Sequence, residues 1–125
     1  MQIPLSGDQE MRQFPRIGKE EALKVLKNYV DEDCLNKVGN LVDLMDLASV
    51  VLWLIHTFSV DISSISVVED VESSQPLFVE ISINDCDWEK WVYLAKYTKD
   101  TLKREGLGDI TGKVVLVCNE SIQIN

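Results

Sequence analysis

Carboxylates, a thiol and two tryptophans crowd the segment NDCDWEKW, residues 84–91. Asp85 and Asp87 flank Cys86 there, and Asp61 opens an earlier apolar run. Carboxylates that gather at one point either bind a cation or raise one another's pKa values. Oxygen-only ligands suit Mg²⁺, Mn²⁺ or Ca²⁺. One interpretation is therefore a metal site at Asp61, Asp85 and Asp87; the simpler one is that Asp85 or Asp87 caps the following helix.

The strands that would position these carboxylates form a hairpin. Apolar and polar residues alternate in VDISSISVV and in LFVEISI, and ESSQP between them is typical of a turn. The alternation slips by one residue at Ser63–Ser64, which predicts a β-bulge. Matching the apolar faces of the two strands places Asp61 opposite Asp85 or Asp87, and a bulge would shift that pairing by one residue.

Helical periodicity precedes the hairpin. It begins at Lys19, and a second helix is predicted over about residues 41–58, with Asn40 as its N-cap. This helix becomes apolar on every side at VVLWLI, so it must be covered on every side. It is either the central helix of the fold or an interface, and we predict a homodimer that self-associates through helix 41–58.

A further helix over about residues 88–104 follows the hairpin. It carries a predicted core stripe and is predicted to end in a Schellman motif at Gly106. KVVLVC, residues 113–118, is typical of a buried strand. The stripe consists of Trp88, Trp91, Ala95, Thr98 and Leu102.

The predicted fold class is α+β, with element order α-α-β-β-α-β. We expect a small mixed sheet of three or four strands, containing an antiparallel hairpin and a crossover helix. Residues 1–18 are predicted to be an N-terminal arm and residues 19–125 a single domain, with IQI at 122–124 as a short edge strand.

The element order and two acids resemble the PD-(D/E)XK, or restriction-endonuclease-like, nuclease superfamily. The similar segments are VDIS, FVEIS and VVLVC, within about residues 41–118. The resemblance implies that Asp61 and Glu80 hold Mg²⁺ for phosphodiester hydrolysis. Ser82 stands where the family has its lysine, which implies a degraded, inactive member.

Basic residues concentrate on one face of helix 88–105. An acidic partner or a nucleic-acid backbone is the functional interpretation of this face, and a solvated surface is the favoured structural one. The residues involved are Lys96, Lys99, Lys103 and Arg104, with Tyr93 and Tyr97 beside them.

Net charge and cysteine usage narrow the function classes. The chain carries a net charge of −9, which disfavours general binding to nucleic acid or to an anionic membrane. Its three cysteines have no paired spacing, so a structural zinc site is excluded within one chain and a reducing compartment is expected. Cys34 and Cys118 are expected to be small buried side chains. The N-terminus does not have the pattern of a signal peptide, and two aspartates argue against a membrane span over 41–60.

The sequence favours a non-enzymatic interaction or regulatory protein, cytoplasmic and without a cofactor. The first alternative is a phosphodiesterase that uses Asp61 and Glu80 with Mg²⁺ or Mn²⁺. The second is a nucleic-acid-binding accessory that uses the lysine face of helix 88–105.

Overall fold

The computed structural model describes residues 14–119, which form five helices and a three-stranded sheet. In chain order the elements are α1 (Lys19–Lys27), α2 (Glu32–Leu41), α3 (Leu44–Phe58), β1 (Asp61–Glu69), β2 (Pro76–Asn84), α4 (Trp88–Arg104), α5 (Gly108–Thr111) and β3 (Val114–Asn119). The predicted α+β class is confirmed. The hairpin follows three helices instead of two, and α5 was not predicted. The predicted strand at 122–124 and most of the predicted arm lie outside the described residues.

The sheet has the order β1-β2-β3. β1 and β2 pair antiparallel, which confirms the hairpin, and β2 and β3 pair parallel. A parallel pair needs a crossover connection, which α4 and α5 provide. Along β2, Val79, Ile81 and Ile83 are fully buried, whereas Glu80 is half-buried and Ser82 is 8% exposed. The helices therefore cover one face of the sheet, the face that the alternation of β2 predicts.

The predicted bulge is confirmed at Ser63. Ser66 pairs with Glu80, and the same register continues to Ser64, after which one residue of β1 is skipped. Asp61 consequently pairs with Asn84. The prediction that Asp61 lies opposite Asp85 or Asp87 is wrong by this single residue.

Helix α3 is the central helix of the fold. Seven of its residues are buried, including Leu47, Val51 and Leu54 at 0% exposure. The chain itself therefore covers much of the apolar segment of this helix, and self-association through 41–58 stays a prediction.

The predicted start of this helix is wrong. Asn40 belongs to α2, and the N-cap of α3 is Asp43, whose carboxylate accepts hydrogen bonds from the backbone N–H groups of Met45 and Asp46 at 2.9 and 3.2 Å. Two satisfied N–H groups make Asp43 the stronger cap.

An aromatic cluster joins α3 to α4. Trp53, which is 3% exposed, has ring centroids 4.8 Å from Phe14, 5.4 Å from Phe58 and 6.0 Å from Tyr97. Tyr93 continues the cluster at 5.8 Å from Phe58. These edge-on and stacked contacts fix which face of α4 meets the core.

That face differs from the predicted stripe at its N-terminal end. The buried residues of α4 are Leu94, Thr98, Thr101 and Leu102, whereas Trp88 is 69% exposed. Trp88 is therefore not a core residue. The predicted Schellman motif is confirmed, because Leu107 N–H donates to Leu102 C=O and Gly106 has a left-handed φ of 81°.

Within residues 14–119, no single helix has both the length and the apolar composition to cross a membrane. The pair α2 and α3, bent by 103°, passes that test only when the two helices are taken together.

Candidate functional site

Asp61 lies at one end of the sheet in a cluster of polar side chains. Its carboxylate accepts a hydrogen bond from Asn84 Nδ2 at 3.1 Å. Asn119 Nδ2 donates to Ser63 Oγ at 3.0 Å and approaches Asn84 Oδ1 at 3.5 Å. The cluster crosses all three strands. Because of the bulge, Asp61 pairs with Asn84, which carries an amide, instead of with a second carboxylate.

Asp61 and Glu80 are far apart. Asp61 pairs with Asn84, and Glu80 lies four residues earlier on β2, about 13 Å along the strand. Two ligands of one cation each lie about 2.0–2.6 Å from it, so these carboxylates cannot share an ion in this arrangement. Among residues 14–119, no group of three or more His, Cys, Asp or Glu side chains is placed to hold a metal ion.

Asp87 is the N-cap of α4, as one interpretation of the sequence predicts. Its side chain accepts a hydrogen bond from the backbone N–H of Lys90 at 2.8 Å. Asp85 precedes it in a left-handed conformation with φ of 53°, at the point where the chain leaves β2. The residues between β2 and α4 therefore lead into the N-terminal cap of α4.

We expect Asp87→Ala to lower the free energy of unfolding by about 0.5–2 kcal/mol, because one backbone N–H loses its acceptor. Asp87→Asn keeps an acceptor oxygen and should retain most of that stability. Urea denaturation of the two variants measures the difference. An equal loss in both would mean that the charge of Asp87, and not its capping bond, stabilises the corner.

Cys86 and Cys118 are joined in a disulfide, with Cα atoms 5.2 Å apart. Cys118 was expected to be a small buried side chain, but it is half-buried and bonded to Cys86. The parallel register places Cys118 beside Ile83, so β3 brings it to the corner where Cys86 lies. Disulfides persist mainly in oxidising compartments, so the bond is at odds with the expected reducing one. Cys34 is the free cysteine of the described residues.

A concave feature at this corner is an open groove along β3. It encloses about 810 Å³, and apolar side chains dominate its walls. The indoles of Trp88 and Trp91 stack with centroids 5.3 Å apart, and Val115, which also lines the groove, is 38% exposed. We call this feature the β3 groove; its lining residues are Trp88, Trp91, Val115, Leu116, Val117, Cys118 and Asn119.

Among residues 14–119, β3 is an edge strand of the sheet, and its residues line the β3 groove. Lys113 C=O accepts from Val79 N–H at 2.7 Å, so the backbone groups of Lys113 and of every second residue after it point toward β2. The alternate residues, including Leu116 and Cys118, direct their backbone groups to the outer edge. Trp91 Nε1 donates to Leu116 C=O at 2.6 Å. Trp91 therefore occupies one edge acceptor, and no strand within residues 14–119 pairs with the rest of this edge. An unpaired edge can accept a further strand.

A smaller cavity of about 180 Å³ lies next to the groove and shares Trp91, Val115 and Leu116 with it. Val50 on α3 and Leu102 on α4 form part of its wall. Thr98 also lines it, and within residues 14–119 the buried Oγ1 atom of Thr98 has no hydrogen-bond partner.

The predicted basic face is present on α4 and is exposed. Lys96, Lys99 and Lys103 are solvent-accessible, and Arg104 Nη2 lies 3.4 Å from Thr101 Oγ1. Both tyrosines also belong to the aromatic cluster, while Tyr93 is 57% and Tyr97 36% exposed. Tyr97 stacks on Trp53, and Tyr93 packs against Phe58.

The predicted site and the concave surface at this corner involve different residues. The carboxylates Asp61, Asp85 and Asp87 were singled out, whereas the concave surface is formed by the two tryptophans and by β3. Comparison with protein-family models, with curated proteins and with solved structures found no match. The resemblance to nucleases therefore stays a prediction, and the geometry of the β3 groove is the basis for assigning a function.

Proposed function

We propose that the protein is a non-enzymatic interaction protein, and that the β3 groove binds an extended segment of a protein partner. The observation that carries this proposal is Trp88, a large apolar side chain that is 69% exposed and stacked on Trp91 beside a sheet edge. Tryptophan is enriched among the residues that dominate binding energy at interfaces. Exposed apolar surface next to a concave wall is typical of a binding site.

An extended partner segment suits the edge of β3. Strand addition takes its affinity from main-chain hydrogen bonds and its specificity from pockets for alternate side chains. Leu116 and Cys118 direct backbone groups to this edge, although the Leu116 carbonyl is occupied by Trp91. The partner would therefore pair with part of the strand and place a side chain on the two indoles.

The charge around Trp88 favours a basic partner. Three acidic residues, Asp85, Asp87 and Glu89, and one basic residue, Lys90, lie within three positions of Trp88 and are exposed, and the whole chain carries a net charge of −9. A Lys or Arg side chain on the indole faces would gain a cation–π interaction as well as this attraction. The expected ligand is a segment in which apolar and basic residues alternate.

Selection from a random-peptide display library tests the proposal. We expect the selected peptides to contain such alternating segments, and Trp88→Ala to weaken their binding by about 30-fold or more, the loss typical of a residue that dominates an interface. Titration calorimetry measures the affinities. Circular dichroism checks that the variant is folded.

The matched control is Tyr93→Ala. Tyr93 is 57% exposed and lies on the same helix, but it is not among the residues that line the β3 groove. Its removal should leave peptide binding within about twofold. Equal effects of the two substitutions, or selection of no peptide at all, would contradict the proposal.

Self-association is a different outcome of the same surface. Light scattering of the native chain and of Trp88→Ala distinguishes the two. A dimer that becomes a monomer on this substitution would make a second copy the occupant of the groove and would overturn the assignment to a different protein.

A further inference from the structure

The β3 groove is lined by residues of β3 and α4, two elements that run in opposite directions. At one end of the groove, Cys118 Sγ lies 3.9 Å from the C=O of Asp87, the residue that caps the start of α4. Toward the other end, Val115 near the start of β3 lines the same small cavity as Lys99 in the second half of α4. The charges along α4 are therefore distributed along the length of the groove.

The end of the groove at the start of α4 is acidic. Asp85, Asp87 and Glu89 are exposed there. Lys90 is the one basic residue in the segment 84–91, but it follows Trp88 by two positions and so lies about 200° around the helix from it. A basic side chain of a bound segment would be attracted to this end.

The opposite end of the groove is basic. Lys99 and Lys113 are exposed, and neither forms an ion pair among residues 14–119. Lys113 directly precedes β3. Lys99 follows Trp88 by eleven residues, which places the two on the same side of α4 and about 16 Å apart along its axis. An acidic side chain of a bound segment would be attracted to this end.

Hydrogen bonding along the edge favours an antiparallel segment. Within residues 115–119, Leu116 and Cys118 direct backbone groups to the outer edge, and Trp91 already occupies the Leu116 carbonyl. In an antiparallel pair, one residue of the segment exchanges two hydrogen bonds with Cys118. In a parallel pair those two bonds go to two different residues, so more of the segment must be ordered for the same number of bonds.

We propose that the β3 groove selects its partner by charge order and by strand direction. It binds a segment antiparallel to β3, with a Lys or Arg near the N-terminal end of the segment and an Asp or Glu toward its C-terminal end. The separation of about 16 Å between the two ends of the groove corresponds to about five residues of extended chain. This inference rests on the proposed function and adds to it a direction and an acidic position.

Two hexapeptide display libraries, selected against the full chain, test this inference. One library has Lys at its first position and Glu at its last, the other has these two residues exchanged, and the four positions between them are random in both. We expect an equal mixture of the two, selected at low ionic strength, to yield at least about tenfold more Lys-first clones. The exchanged order would place like charges together at both ends of an antiparallel segment.

Lys99→Glu places a carboxylate at the basic end and should reduce the excess of Lys-first clones to about threefold or less. Lys96→Glu is the matched control, because it makes the same change of charge on the same helix but lines neither the groove nor the small cavity. It should keep the preference. Both lysines are exposed, and circular dichroism checks that the two variants are folded.

The direction of binding has its own measurement. A nitroxide label at the N-terminus of a selected Lys-first peptide should broaden the backbone amide signal of Asn119 more than that of Val115, since an antiparallel segment begins where β3 ends.

Three results would overturn the inference: no excess of Lys-first clones, an excess that Lys99→Glu leaves unchanged, or broadening that is stronger at Val115 than at Asn119. A fully random library, selected in parallel, distinguishes these results from failure of the proposed function. If the random library yields peptides that bind in the groove while the designed libraries give no binder or no preference, the charge order and direction alone are wrong. If the random library yields none, the proposed function fails as well.

Discussion

Replacement of Trp53 by alanine is expected to lower the free energy of unfolding by about 3–5 kcal/mol, the range for truncation of a buried large aromatic side chain. Trp53 is 3% exposed and touches the rings of Phe14, Phe58 and Tyr97. Its loss would leave a cavity where α3 meets α4 and would remove three ring contacts. Urea denaturation followed by circular dichroism measures the change.

Trp88→Ala is the matched control for this prediction, because it makes the same chemical change at an exposed position. Trp88 is already 69% exposed and loses its stack on Trp91, so we expect a cost of about 1 kcal/mol or less. If the two substitutions destabilised the protein equally, Trp53 would not be the centre of the core, or Trp88 would not be at the surface. The peptide-binding experiment also uses Trp88→Ala, and it requires that this variant stays folded.

Opening the disulfide between Cys86 and Cys118 is expected to lower the free energy of unfolding by roughly 3–4 kcal/mol. The two cysteines are 32 residues apart, and a cross-link over a loop of this length restricts the unfolded chain by about that amount. Denaturation of the native chain with and without a thiol reductant measures the loss. The double variant Cys86→Ser, Cys118→Ser should show the loss without reductant.

Cys34→Ser is the control, since Cys34 is free and its replacement should leave the effect of reductant unchanged. Thiol titration of the unfolded, unreduced chain should find one reactive cysteine. Three reactive thiols would contradict the assigned bond. The bond also lies beside the β3 groove: Cys118 lines the groove and Cys86 precedes α4, so the bond links β3 to the start of α4.

Local patterns predicted much of the fold. The period of two in β1 and β2 predicted the hairpin, and the slip in that period at Ser63–Ser64 predicted the bulge, because side-chain alternation is a direct consequence of strand geometry. The glycine at 106 reported the end of α4, because a left-handed residue is required there. Each of these signals is contained in a few neighbouring residues.

The features that were predicted wrongly, or not at all, depend on contacts between distant segments of the chain. Periodicity placed Trp88 on the same helix face as Thr98, but it does not show that the first turn of α4 extends beyond the core. The register between β2 and β3 has no local signal, and it alone brings Cys118 to Cys86. The pairing of Asp61 with Asn84 depended on a one-residue shift, which a predicted bulge permits but does not specify.

The central claim is that the β3 groove is the binding surface. NMR chemical-shift mapping with a selected peptide tests it most directly, because it locates the peptide on the full chain. We predict that the largest shifts occur at the indole N–H groups of Trp88 and Trp91 and at the backbone amides of residues 115–119. Shifts centred instead on Lys96, Lys99 and Lys103, or on the exposed part of α3, would contradict the claim.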